Sequence, residues 1–100
     1  METLSKIANL QKALDPTATL PQASAWWELC NSIAVDIELD DRATTYERES
    51  IQRMKAGVSF AIAAIREGHP HIELGPARRA LTGLQASIER RTTHGGPLRT

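Results

Sequence analysis

Proline and glycine divide this chain into segments, and the segments between them read at helical period. Asp15-Pro16, Gly68 followed by Pro70, and Gly75-Pro76 are the punctuation, because a residue before proline avoids the α region and glycine accepts the left-handed conformation that ends a helix. Before the first break, Leu4, Ile7, Ala8, Leu10 and Leu14 recur at three- and four-residue steps, which predicts a helix to about Leu14. Thr19-Leu20-Pro21-Gln22 matches a capping box with proline in the first turn, where no amide donor is needed. From there Ala23, Trp26, Trp27, Leu29, Cys30, Ile33, Ala34 and Ile37 fall within about 160° of the wheel at ~100° per residue, the stripe of an amphipathic helix.

Val35 to Asp40 alternates apolar and acidic residues and has the period of a strand. No second segment alternates, so such a strand would lack a partner. Continued helix is the expectation, and it sets Val35 and Leu39 together opposite the core stripe. Asp40 or Asp41 is the expected N-cap of a third helix, whose stripe is Ile51, Met54, Val58, Ala61, Ile62 and Ile65. The nearly unbroken apolar run Ala56–Ile65 predicts that this helix is central, wrapped by the other three. A fourth helix opens at Pro76 and buries Ala77, Ala80, Leu81, Leu84 and Ile88. The expected fold class is therefore all-α: a single-domain bundle of about four helices over residues 1–91, with a flexible C-terminal tail over 92–100. One hundred residues hold one core of this kind.

Chemistry is sparse. His69 and His71 flank a proline, which excludes helical ligand spacing, and Cys30 and His94 are distant in sequence; the expectation is no metal, with one histidine capping the third helix. Cys30 lies on an apolar stripe, where a thiol acts as a small hydrophobe and not a nucleophile. No phosphate loop or nucleophile elbow is present, so no enzyme, no catalytic residue and no cofactor is expected. A lone cysteine, no apolar leader and no span of roughly 20 apolar residues give the expectation of a cytoplasmic protein without a membrane contact.

Charge is balanced in total and uneven in placement. Residues 1–50 carry nine acids and four bases, a net of −5; residues 51–100 carry eight bases and three acids, a net of +5. Asp36, Glu38, Asp40, Asp41, Glu47 and Glu49 crowd around one helix junction, and outward carboxylates there would steer the chain to a protein partner with a basic surface. Trp26 and Trp27 point about 100° apart, so either both fill a wide core face or one is left as an aromatic anchor for that partner. Phe60 and Tyr46 lie off the third stripe and raise the same question. The alternative is direct nucleic-acid binding through Arg78, Arg79, Arg90 and Arg91 with Arg99 of the tail. The roughly eight-residue connection before the fourth helix is too long for a helix-turn-helix, so that reading is the weaker. A third reading is a homodimeric scaffold closed by Val35, Leu39 and one tryptophan.

In format, not by any motif, the chain resembles the small anti-CRISPR proteins of phages and mobile elements: near 100 residues, all helical, devoid of chemistry, with one acidic end. The resemblance implies stoichiometric inhibition of a host surveillance complex by surface contact, the six carboxylates meeting basic residues and Trp26 or Trp27 supplying apolar anchorage. A net charge of zero departs from the strongly acidic DNA mimics of that class.

Overall fold

A computed structural model describes residues 2–94 of the chain. Among them four helices form: α1 (Glu2–Ala13), α2 (Leu20–Glu38), α3 (Thr45–Arg66) and α4 (Gly75–His94). α4 thus runs three residues past Arg91, where the tail was expected to begin. The rest of that tail, with Arg99, lies outside the described residues.

Each helix starts and stops for a local reason. The Thr19 side chain accepts from the Gln22 amide while Gln22 reaches back to the Thr19 amide, 2.8 Å away, the reciprocal box expected at α2. α3 is capped in the same way by Thr44 and Glu47, which corrects the expectation of Asp40 or Asp41. Those aspartates sit four and three residues upstream, in the turn between α2 and α3. α3 ends in a Schellman arrangement: Gly68 takes φ +75°, its amide donates to Ile65, and the His69 amide donates to Ala64. The cap is a backbone one. The His69 ring instead lies 3.1 Å from the Glu67 carboxylate on the surface, so no histidine side chain caps α3.

The helices pack as a ring, α1 against α2, α2 against α3, α3 against α4, and α4 against α1. Successive helices run antiparallel, as pairings such as Lys6–Asp36, Glu47–Ser87 and Leu14–Arg78 require. α3 therefore meets two helices and not three, which overturns the expectation of a wrapped central helix. Within its apolar run Gly57, Val58, Ala61 and Ala64 are buried, but Ala56, Ser59 and Phe60 are exposed. Apolar density along the run counted residues without regard to which side they face.

The core is one cluster reaching from Ile7 and Leu10 through Ile33, Met54 and Val58 to Leu81, Leu84 and Ile88. α3 and α4 approach most closely where Gly57 meets Ala77: a Cβ on Gly57 would stand 2.9 Å from the Ala77 backbone nitrogen. Trp26 is buried at the α1–α2 contact, and its indole N–H donates to the Ala13 carbonyl at 3.0 Å. Arg78 does the same for Leu14 across α1 and α4, at 3.0 Å. Two carbonyls left over at the end of α1 are thereby satisfied.

Candidate interaction surface

The acidic cluster does not form a single outward face. Glu47 is fully buried: Ser87 Oγ donates to its carboxylate at 2.6 Å, and Arg91 Nε sits 3.1 and 2.9 Å from its two oxygens. The other arm of Arg91 donates to Asp40 at 2.9 Å. Asp36 receives Lys6 at 2.9 Å and Thr3 at 3.0 Å. Glu38, Asp41 and Glu49 stay exposed. Half of the six expected docking carboxylates are therefore committed inside the molecule, and Glu47 is withdrawn from any partner.

Burial pushes the Glu47 carboxyl up, but the hydrogen bonds of Arg91, Ser87 and the Thr44 amide outweigh it and hold the group below the usual glutamate range. Asp40 is likewise lowered, first by the Arg42 amide and then, against some burial, by Arg91. Sequence periodicity gave no sign of this network. Its one trace was the Thr44-x-x-Glu47 spacing, a capping box in which the glutamate is free to serve a second partner.

The arginines divide in the same manner. Arg91 closes onto Glu47 and Asp40, and Arg78 is held on the Leu14 carbonyl. Arg79 and Arg90 remain exposed, within about 20° of each other on the wheel of α4 at ~100° per residue. Two of the four arginines expected to meet phosphates are thus engaged internally. Cys30 is buried, and burial, slightly opposed by Lys55, pushes its thiol up to about 11, an inert group at neutral pH. His71 is exposed in the loop, and among the described residues no three of His, Cys, Asp or Glu gather as a metal set. No helix among them is long and apolar enough to cross a membrane.

What does reach the surface is apolar. The tryptophans separate as their 100° offset allows: Trp26 is 1% exposed and Trp27 37%. Trp26 is therefore no anchor for a partner. Leu20, Trp27 and Val35 on α2, Leu39 at its C-cap, and Tyr46 and Phe60 on α3 are the exposed large apolar side chains among the described residues; α1 and α4 contribute none. The three on α2 and Leu39 at its C-cap fall within about 120° of the wheel at ~100° per residue. Glu28 and Glu38 are exposed in the same arc, and α2 contains no lysine or arginine. Its outer face is consequently oily, with Glu28 set beside Arg66 and Glu38 beside Arg48 of α3.

The second feature is a groove of about 570 Å³ between α3 and α4. Small residues (Ala56, Gly57, Ala80) floor it, Phe60 and Pro76 wall it, and Arg53, Arg79 and Glu73 stand at the rim. Arg53 lies over the Tyr46 ring, 5.7 Å from its centroid. The Tyr46 hydroxyl in turn rests against Gly83 of α4, where the missing side chain makes room for it. Sequence reasoning singled out Phe60, Tyr46 and Arg79 but not Arg53, Ala56 or Glu73, and it read Ala80 as buried, which it is. The available signal was the set of small residues on α3 and α4, which was absorbed into the core.

The chain matches no family model, no curated protein and no solved structure.

Proposed function

We propose that the protein is a non-enzymatic protein-binding module that captures a partner on the outer face of α2. One observation carries this reading: Leu20, Trp27 and Val35 on α2, with Leu39 at its C-cap, are exposed large apolar side chains that share one arc of the helix. Clustered exposed apolar side chains mark binding surfaces, and a half-exposed tryptophan ringed by polar groups is the side chain that most often anchors one. Glu28 and Glu38 stand beside Trp27, Val35 and Leu39, each sharing a surface hollow with an arginine of α3, Arg66 and Arg48, so the patch is an apolar one with a mixed-charge rim that suits a polar partner surface.

The narrower form of this reading is a stoichiometric inhibitor acting inside a host cell on a nucleic-acid-binding complex of the CRISPR surveillance type. Its support is the resemblance in format, together with the carboxylates Glu38, Asp41 and Glu49 that remain free. The docking surface it needs is α2, not the helix junction.

The test pairs capture with a fold control. Trp27→Glu and Leu39→Glu should each abolish retention of the host protein that the wild type pulls down, with circular dichroism unchanged. Retention undiminished by both substitutions would overturn the reading. So would a gel shift of a nucleic-acid duplex by the isolated chain that Arg79→Glu with Arg90→Glu removes.

A further inference from the structure

The groove between α3 and α4 differs in charge from the other hollows of the surface. Three of those hold one acid and one base each: Glu28 with Arg66, Glu38 with Arg48, and Asp15 with Lys12. The groove sets Arg53 and Arg79 against Glu73 alone, so its rim is short of one negative charge. We infer that the groove is a binding site for a small monocarboxylate with an apolar body, its carboxylate taken at the arginine rim and its body laid on the floor of Ala56, Gly57 and Ala80.

Both cations are available to such a ligand. Neither Arg53 nor Arg79 forms an ion pair with a described carboxylate. Arg53 Nη2 donates to Ser50 Oγ at 3.2 Å, and its guanidinium lies over the Tyr46 ring. Both contacts are with neutral groups, so they hold the side chain without cancelling its charge, and a ligand has less ordering to impose. Arg79 Nη1 and Glu73 Oε1 stand 3.1 and 3.7 Å from the point where a side chain on Gly75 would begin, yet form no ion pair with each other. Pro76 brings the start of α4 into the same wall, where the helix dipole is positive and no acid lies in the first turn.

Size and lining select the rest of the molecule. A groove of about 570 Å³ falls within the roughly 300–1,000 Å³ of small-molecule pockets. The small residues of the floor admit an apolar chain, and Phe60, 66% exposed, covers it from one side while being withdrawn from water itself. A nucleic acid asks for a run of cations along its phosphates, and Glu73 interrupts this one.

Titration of ¹⁵N-labelled protein with octanoate, octanol and octylamine, followed by NMR, separates charge from apolar contact. Octanoate should shift amides around Ala56 and Ala80 and bind about tenfold more tightly than octanol, the difference that one charge-assisted hydrogen bond makes, with octylamine weakest. Added salt should weaken octanoate and spare octanol, a reading of the charge that needs no variant. Arg53→Gln with Arg79→Gln should reduce octanoate to the affinity of octanol. Ala56→Trp, at an exposed position, fills the floor and should abolish binding of all three probes. Equal affinity for the three, octanoate binding that survives Ala56→Trp, or no octanoate shift at millimolar concentration overturns the inference. Trp27→Glu should leave octanoate binding at the wild-type level, so this site stands or falls separately from partner capture on α2.

Discussion

Glu47 and Arg91 form a two-point contact across the α3–α4 interface, at 3.1 and 2.9 Å, and the glutamate has no solvent exposure. Glu47 serves three elements at once: it reaches back to the Thr44 amide at the start of α3, accepts from Ser87 in α4, and through Arg91 is tied to Asp40 in the turn after α2. A carboxylate that began as a helix cap thus sets where the α2–α3 turn sits against the end of α4. The exposed Leu39, the C-cap of α2, lies immediately before Asp40, so the network also fixes the end of the proposed docking face.

Removing one member of a buried ion pair leaves the other charge desolvated and unpaired, at a cost of about 3–5 kcal/mol. Glu47→Ala should lose stability at the lower end of that scale, since Arg91 keeps Asp40 while the bifurcated Nε–H bond, the Ser87 bond and the Thr44 cap are lost. Glu49→Ala, two residues away and exposed, should change it by less than about 0.5 kcal/mol. Urea midpoints for the two variants make the comparison, and similar values would show that the pair contributes little.

The same network sets an acid response. Glu47 and Asp40 are both held below their ordinary values of 4.5 and 3.8. For a carboxyl whose folded pKa is depressed, the unfolded chain takes up the proton first. The stabilisation is fully present above about pH 5 and is lost as pH falls through the unfolded and then the folded value. Unfolding free energy should be flat from pH 5 to 7 with respect to these groups and decline below 4.5. Glu47→Gln should flatten that decline. An equally steep decline in Glu47→Gln would place the acid sensitivity elsewhere.

The bundle was legible because its signals are local. Thr19 and Gln22 on either side of Pro21, Gly68 before Pro70, and the three- and four-residue steps of Ile7, Leu10, Ile33, Val58 and Leu84 each act within one or two helical turns. What was not legible depends on residues far apart in sequence. Arg91 is 44 positions from Glu47, so neither half-turn nor heptad spacing couples them. The exposed flank of α3 was hidden because Ala56, Ser59 and Phe60 sit in one run with the buried Gly57, Val58, Ala61 and Ala64, and only Phe60 stood off the stripe. Only the observation that α1 and α3 do not touch leaves that flank open.

Two glycines in helices should respond oppositely to alanine. In a helix interior alanine is favoured over glycine by roughly 1 kcal/mol. At Gly57 the added methyl would meet the Ala77 backbone at 2.9 and 3.1 Å, and backbone of a packed helix cannot move aside without parting α3 from α4. Gly57→Ala should therefore destabilise by about 1–3 kcal/mol despite its better propensity. At Gly83 the obstacle is the Tyr46 hydroxyl, the far end of a side chain 47% exposed and able to swing into solvent. Gly83→Ala should be near neutral, and stabilising by roughly 0.8–1 kcal/mol when Tyr46→Ala is already in place. Thermal unfolding of the single and double variants decides between the two.

The adjacent tryptophans give the sharpest contrast between core and surface. Trp26 fills the α1–α2 contact and donates to the Ala13 carbonyl at 3.0 Å, so Trp26→Ala should cost about 3–5 kcal/mol, from the cavity and the lost hydrogen bond together. Trp27, at 37% exposure, loses only partial contact with α3, and Trp27→Ala should cost less, about 1–2 kcal/mol. Fluorescence supplies an independent readout. Trp27→Phe leaves only the buried indole and should shift emission to shorter wavelength, whereas Trp26→Phe leaves the half-exposed one and should shift it to longer wavelength. Coincident emission from the two single-tryptophan variants would mean that α2 is rotated from the orientation described, and with it the arc that carries Val35 and Leu39.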